Sequence, residues 1–300
     1  MRTKASELGD EFHRIQRGEL ASSTQTRLRE LAGWGGYTSF LEPHALAVAA
    51  DAGVHPIGQV VGLSAGLILR GYVRTTQPGQ GRIRAGVARW REHSGPVRSW
   101  NALRQRALAR LAEQATLLGA DAVIGVVAER ELDAGSEGDL AHGQMRFSGT
   151  AVRVDAWRHA TRPPVLTLAT ASELWSMLRC GIEPAGIAGA FASVETLPST
   201  TTVMATSRRW TTPSLELEDL TKAVYEVRRL ALERIVADAG KLGADGLLGI
   251  ELVLEGADFQ RVRPPAMALS VHVLASAIRR VAPSPVRPEQ VLAVSGGPRD

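Results

Sequence analysis

Residues 100–125 read WNALRQRALARLAEQATLLGADAVIG, and residues 224–249 read VYEVRRLALERIVADAGKLGADGLLG. Ten of the 26 aligned positions are identical at a constant offset of 124 residues, without a gap. Other apolar positions keep an apolar residue, as at Leu103 and Val227. Self-similarity at a fixed offset is typical of a repeated structural unit, so the sequence predicts a duplicated domain.

Both stretches predict the same local structure. In the first, Leu103, Ala107 and Leu111 follow one another at four-residue steps, which gives a helix one apolar face. Gly119 and Gly243 stand where a left-handed residue would end that helix, a conformation that glycine adopts without a side-chain penalty. The expected unit is a helix, a glycine cap, an aspartate turn and a short buried strand.

The aspartates that follow the caps, Asp121 and Asp245, admit two interpretations. Carboxylates in matched positions could do acid–base work or hold a cation. An aspartate directly after a helix-ending glycine also accepts hydrogen bonds from nearby backbone N–H groups and fixes the turn. We prefer the second interpretation, so Gly119, Asp121, Gly243 and Asp245 are predicted to form a structural turn motif.

A second pair of segments supports the duplication and organises the rest of the chain. Residues 53–58 read GVHPIG and residues 181–186 read GIEPAG, so two glycines and a proline keep their places at an offset of 128. Each copy is expected to contain a short helix, a strand, a long helix and two further strands. The predicted division is a polar N-terminal segment at 1–37, a first domain at 38–160, a linker at 161–165, a second domain at 166–281 and a proline-rich disordered tail at 282–300.

The two copies resemble a known family. Residues 118–126, LGADAVIGV, and 242–250, LGADGLLGI, resemble the signature of the YbjQ-like family, which is labelled heavy-metal-binding. Residues 147–152, FSGTAV, are similar to the family's closing strand, which commonly ends in Gly-Thr-Ala-Val, whereas residues 268–273, ALSVHV, depart from it. The resemblance implies an α+β fold with two tandem small β-α-β-β domains, dodecin-like or YbjQ-like.

The same resemblance implies self-association. Family members form rings, typically of five subunits, with strands contributed across the interfaces, so the expected partner is the chain itself in a homopentamer. The two copies would form two stacked rings or alternate around one ring. Small sheets with open edges agree with this expectation, because edge strands need cover.

The family label directs attention to metal ligands. A heavy-metal site needs thiolates or clustered histidines, and this chain has one cysteine and seven histidines, none within four positions of another. His55 and Cys180 lie beside the two Gly–Pro turns and are the candidates for a site built from distant segments. The preferred alternative is that Cys180 is a buried apolar residue. Ligand spacing therefore predicts no cofactor.

One pattern points to an enzyme. Residues 62–66, GLSAG, match the G-x-S-x-G turn that exposes a nucleophilic serine between a strand and a helix. The residues after Ser64 are too few and too apolar for that helix, and Ala192 takes its place in the second copy. No catalytic residue is predicted. The leading hypothesis is a non-enzymatic binding or scaffold protein, and the alternative is metal-ion or small-ligand binding at subunit interfaces.

Composition and charge restrict the remaining classes. The chain has 300 residues, 44% of them hydrophobic, which suffices for two globular domains. The start lacks a signal peptide's apolar core, no apolar window would span a bilayer, and one cysteine excludes an internal disulfide, so a cytoplasmic protein without a membrane partner is expected. Ten arginines lie between Arg70 and Arg110, but no nucleic-acid module accompanies them, so nucleic-acid binding is not expected.

Overall fold

The computed structural model describes residues 4–69, 89–133, 140–157, 163–197, 199, 216–259 and 266–281. The predicted tail at 282–300, residues 161–162 of the predicted linker and residues 70–88 of the arginine-rich segment lie outside the described residues. The helices are α1 (Lys4–Gln16), α2 (Ser22–Gly33), α3 (Pro43–Asp51), α4 (Ser94–Leu117), α5 (Ala171–Arg179) and α6 (Glu218–Lys241), with a 3₁₀ turn at Asp155–Trp157.

The strands form two four-stranded sheets. They are β1 (Val54–Leu69), β2 (Arg89–Glu92), β3 (Ala122–Asp133), β4 (Leu140–Val154), β5 (Val165–Leu166), β6 (Ile182–Leu197), β7 (Gly246–Phe259) and β8 (Ala266–Arg280). The first sheet has the order β1-β4-β3-β5 and the second has the order β2-β6-β8-β7. All neighbours are antiparallel except β5, which adds parallel to β3. The fold is therefore α+β, as expected.

The two halves of the chain repeat one arrangement. In the first half β1, α4, β3 and β4 follow in order, and β6, α6, β7 and β8 do so in the second. The irregularity in β1 between Pro56 and Gly58 recurs in β6 between Pro184 and Gly186. A second irregularity, between Ile124 and Val127 in β3, recurs in β7 between Leu248 and Glu251. The matched positions are offset by 128 residues in β1 and β6, by 124 in α4, α6, β3 and β7, and by 126 in β4 and β8.

Each long helix lies on the sheet of its own half, and glycine sets the spacing in the first half. Leu103, Ala107 and Leu111 of α4 are buried, as the apolar face predicts. A Cβ atom at Gly62 of β1 would overlap the backbone carbonyl of Ala107. The helix and the strand are therefore in backbone contact at this point, which only glycine permits.

The halves share a hydrophobic core. Trp100 and Leu103 of α4 belong to the same buried cluster as Ile187, Phe191 and Leu274 of the second sheet. The Asn101 side chain also joins α4 to β6, because its Oδ1 accepts from the Phe191 N–H at 3.2 Å. The second half therefore packs against the side of α4 that the first sheet leaves open.

Three predicted boundaries differ from the structure. Val165, placed in the linker, belongs to β5 and pairs with Ala122 of the first half, because a backbone edge is available there. The N-terminal segment is not merely polar, since Leu20 and Leu28 are buried in the cluster around α4. The closing strand β4 extends beyond residues 147–152 at both ends, because β1 is long enough to pair with it from Leu140 to Val154. Within the described residues, no helix is long and apolar enough to cross a membrane.

Candidate functional site

The predicted glycine caps have the left-handed backbone. Gly119 has φ +68° and Gly243 has φ +63°, and each follows the last turn of a long helix. No side chain crowds either glycine, since the atoms nearest to an added Cβ are Arg153 Nη2 at 3.7 Å and Arg279 Nε at 3.9 Å. Glycine is needed at these positions for its backbone and not to make space.

The two aspartates after the caps bind backbone on another strand. Asp121 Oδ2 accepts from the Val154 N–H at 2.8 Å, and Asp245 Oδ2 accepts from the Arg280 N–H at 2.9 Å. The partner is therefore the end of the closing strand and not the turn itself, a correction to the sequence-based expectation. Each carboxylate ties the helix-ending turn to the last strand of its half, and this contact is the same in both halves.

The two metal candidates do not form part of a ligand cluster. His55 Nε2 lies 3.1 Å from both carboxylate oxygens of Asp155, and both side chains are about half exposed. Cys180 follows the last turn of α5 and is exposed, so the expectation that it is buried is wrong. The short helix turns other side chains inward: Leu174, Met177 and Leu178 are its buried residues. In the described ranges, no three or more His, Cys, Asp and Glu residues form a group that could hold a metal.

Ser64 is not a nucleophile on a turn. It lies in the middle of β1, opposite Met145 of β4, and is buried. Every second residue of this part of β1 faces α4, and these residues are small because Gly62 contacts the helix backbone. The small residues at this spacing produce the G-x-S-x-G pattern. A serine enclosed in a continuous strand has none of the exposure that a nucleophile needs.

The most unusual polar group of the described structure lies between the halves and was not predicted. Arg104 of α4 is buried and its Nη2 lies 3.3 Å from Oδ2 of Asp238 on α6. The Nε and Nη1 atoms of Arg104 and Nε2 of His272 are buried without a hydrogen-bond partner among the described residues. Such groups are rare, because each loses hydration without replacement.

Aromatic rings surround these buried polar groups. The His272 ring lies 4.4 Å from the Phe191 ring and 5.5 Å from the Trp100 ring, measured between centroids. The guanidinium of Arg130 lies 4.9 Å from the centroid of Trp100, a cation–π contact, and also pairs with Glu255 of β7. Two arginines, one histidine and two aromatic rings therefore hold the two halves together.

Burial determines the charge of this cluster. It lowers the pKa of His272 to about 2, and the charges of Arg130 and Arg104 lower it further in the same direction, so His272 is neutral at physiological pH. Burial also lowers the pKa of Arg130 to about 10 and lowers the pKa of Arg104, where Asp238 opposes the effect. Arg104 and Arg130 therefore stay positively charged at physiological pH, whereas His272 is uncharged.

Two cavities adjoin the second half. One, of about 230 Å³, lies between the sheets and is lined by Arg130, Met145, Val253, Glu255 and His272. The other, of about 620 Å³, is an open groove between the start of α5 and the irregularity in β7, lined by Thr170, Glu173, Met177, Leu248 and Gly249. The first can accept a small polar group.

The sequence carried little sign of the inter-half cluster. Arg104 is matched by Arg228 in the second copy, so the repeat alone could not show that one of them faces the other half. His272 has no histidine or cysteine close to it in sequence. Trp100 against Val224 and Arg146 against His272 are departures at matched positions, but they are two among many, so they did not single out the cluster.

Comparison with known proteins supports the family for part of the chain. Residues 83–155 match the YbjQ-like family, under the description "Putative heavy-metal-binding". The match ends with the last strand of the first half and does not include the second half. No curated protein matches the chain. No solved structure matches it either.

Proposed function

We propose that the protein is a non-enzymatic, cytoplasmic, homo-oligomeric binding or scaffold protein built from two tandem YbjQ-like domains. The family match to residues 83–155 supports this for the first half. For the second half, support comes from the repeated element order and from the two irregularities that recur at matched positions. A shared unit with conserved turns is the expected product of duplication.

One observation carries self-association. Phe191 of β6 is 3% exposed because the first half covers it, whereas the matched Leu63 of β1 is 41% exposed. In the second strand of each unit, Val126 of β3 is 4% exposed and the matched Ile250 of β7 is 50% exposed. Phe191 and Val126 are therefore buried where the two halves meet. The matched apolar residues Leu63 and Ile250 lie on the outer faces of the two halves and are exposed. Exposed apolar surface of this kind is typical of a protein interface.

The resemblance to ring-forming proteins implies five chains. Native mass spectrometry of the full chain at low micromolar concentration is expected to give a homopentamer. Heating and dilution series should leave that species intact, since closed rings satisfy every interface at once. A clean monomer under these conditions would contradict the scaffold function.

The non-enzymatic part of the proposal is supported by the described polar residues. Ser64 is enclosed in a strand, Asp121 and Asp245 are bound to backbone N–H groups, and His272 has no nucleophile within hydrogen-bond distance in the described structure. Nucleophilic catalysis needs a nucleophile, a base and an orienting group in mutual contact. None of these four residues belongs to such a set in the described structure.

A second candidate function is the binding of a metal ion or a small ligand at subunit interfaces. It is favoured by the description of the matched family and by the cavity beside His272 and Arg130. We expect untagged protein to carry no stoichiometric zinc, copper or nickel, because clustered ligands are lacking among the described residues. Elemental analysis decides: about one tightly held ion per chain would favour the alternative, and its loss in Cys180→Ser or His55→Ala would locate the site.

A further inference from the structure

Segment 165–169 of the second half makes a backbone contact with β3 of the first half. The matching edge of β7 has no such partner among the described residues. The segment 165–169 lies along the edge of β3, where the Val165 N–H donates to the Asp121 carbonyl at 3.0 Å and the Thr167 N–H donates to the Val123 carbonyl at 2.9 Å. The irregular part of β3 completes the contact, because the Gly125 N–H donates to Ala169 at 2.8 Å. This is strand addition at an open edge.

β7 presents the same edge, and no strand among the described residues lies along it. Gly249 has φ +61°, matching φ +57° at Gly125, so the irregularity that aims the N–H outward is repeated. Among the described strands β7 is the edge of its sheet, whereas β3 is followed by β5. Leu248 is exposed, but the matched Ile124 is fully buried. The edge is therefore formed and left open.

The segment that matches 165–169 is 37–41, and it is held in the same way. Thr167 Oγ1 lies 3.0 Å from Ser276 Oγ, and the matched Ser39 Oγ lies 3.4 Å from Thr150 Oγ1. The Leu41 N–H donates to Ser39 Oγ at 2.8 Å, and the matched Ala169 N–H donates to Thr167 Oγ1 at 3.1 Å. Both segments are thus bound to their own sheets by one hydrogen-bond pattern.

The outer edge of 37–41 is open in the described structure. Tyr37 and Phe40 are about half exposed, so α1 and α2, which lie beside α4, do not cover this segment. In the second half the same edge, at Val165 and Thr167, is the one that pairs with β3. The described structure therefore presents two complementary surfaces, the edge of β7 and the segment 37–41. The Ser39 carbonyl of that segment accepts one hydrogen bond, from Gln59 Nε2 at 2.8 Å, and keeps a second lone pair for a strand partner.

The groove beside β7 fits the residues that follow 37–41. In the first half, the buried Ile124 packs in one cluster with Ala171 and Leu174 of α5. The matched place in the second half, around Leu248, is the open groove of about 620 Å³. The counterpart of Leu174 is Leu46 of α3, so α3 is the helix that would fill it.

We propose that residues 37–41 of one copy of this chain add as a parallel strand to β7 of a second copy, with α3 in the adjoining groove. This repeats between chains the contact that joins the halves within a chain. The proposal rests on the self-association proposed above and specifies its interface. Because first and second halves then alternate around the assembly, a closed ring contains two units for each chain, which makes ten units in the homopentamer proposed above, and two stacked layers are excluded.

Cross-linking tests the register. Ala122 pairs with Val165 inside the chain, so the corresponding pair between chains is Gly246 with Tyr37. Neighbouring strands bring Cα atoms to about 5 Å, within disulfide range. In a Cys180→Ser background, a mixture of Tyr37→Cys and Gly246→Cys chains is expected to give a disulfide-linked dimer under mild oxidation, whereas neither variant alone should. A mixture of Tyr37→Cys with Gly240→Cys, on the exposed surface of α6, is the matched control.

The outcomes separate this proposal from self-association. An oligomer in native mass spectrometry whose Tyr37→Cys and Gly246→Cys mixture links no more than the control would leave the scaffold function standing and overturn the interface. A monomeric full chain would overturn both. If that monomer associates only after removal of residues 282–300, the chain's own tail occupies β7 and not a second copy. A linked dimer that exceeds the control at least tenfold supports the proposal.

Discussion

The two halves of this chain are the same structural unit in different surroundings. The second unit has its β6 face covered by the first half, and the first has its β3 edge covered by segment 165–169. The remaining faces, at Leu63 on β1 and at Ile250 on β7, are apolar and exposed. The residues at matched positions are of similar type, so their different exposure depends on which half they belong to and not on their chemistry.

The largest effect on stability is expected at the buried Phe191, compared with its exposed counterpart Leu63. Phe191→Ala should lower the free energy of unfolding by about 3 kcal/mol or more, because it leaves a cavity in the core between the halves. Leu63→Ala, at the matched open position, should cost less than about 1 kcal/mol in a non-associated chain. Urea denaturation of both variants measures the difference, and equal losses would show that Leu63 is covered as well.

The next prediction concerns helix spacing, in which the halves differ. Gly62→Ala should destabilise the protein by about 2 kcal/mol or more, because the added methyl group overlaps the backbone of α4, which cannot move aside locally. The second half has Ala190 at the matched position and accommodates the methyl group there.

Gly66→Ala is the control for that experiment. Its Cβ would lie 3.1 Å from Leu103 Cδ2, the end of a flexible side chain, so a loss below about 1 kcal/mol is expected. Thermal unfolding of both variants gives the comparison. A Gly62→Ala protein as stable as Gly66→Ala would remove the backbone contact between β1 and α4.

The third prediction concerns His272, which has an arginine, Arg146, at the matched position of the first half. Burial lowers the pKa of His272 to about 2, so the unfolded chain binds the proton more readily below pH 6.5. Stability is therefore lost as the pH falls. Wild-type protein should lose about 2 kcal/mol more than His272→Leu between pH 7 and pH 5. Denaturant titrations at both pH values measure this, and parallel pH profiles would show that His272 is accessible to protons.

The smallest effects should be equal in the two halves. Gly119→Ala and Gly243→Ala should each cost about 1 kcal/mol, because a Cβ is disfavoured at positive φ and neither site is crowded. Thermal unfolding of the two variants should give similar shifts. Unchanged melting for both would remove the cap assignment, and a shift in only one would show that the caps contribute unequally.

Much of the unit could be predicted from the sequence. The periodicity of α4, the caps at Gly119 and Gly243 and the order of strands follow from local patterns, and local patterns determine local conformation. The exposure of Cys180 could not be predicted, because a residue at the end of a nine-residue helix is buried or exposed according to which neighbours pack there. The pairing of Val165 with β3 was missed because an open edge is a property of the sheet.

The cluster of polar residues between the two halves could not be predicted from the sequence. Arg104, Arg130 and His272 are far apart in the chain and meet only because the second half packs against α4. Their charges are set by burial and mutual repulsion, which depend on distances that no spacing rule supplies. Asp121 and Asp245 were found because their position directly after the helix caps is a local feature, although the backbone N–H groups that they bind belong to another strand.

The sequence by itself determined the repeated unit, its helix caps and the apolar or polar character of each matched position. Only the tertiary structure decided which copy of each position is covered. Leu63 and Phe191 are both apolar and lie at the same place in the same strand, yet one is open and the other is buried. The physical reason is that hydrophobic burial needs a second surface, and the surface opposite each residue comes from a different part of the fold.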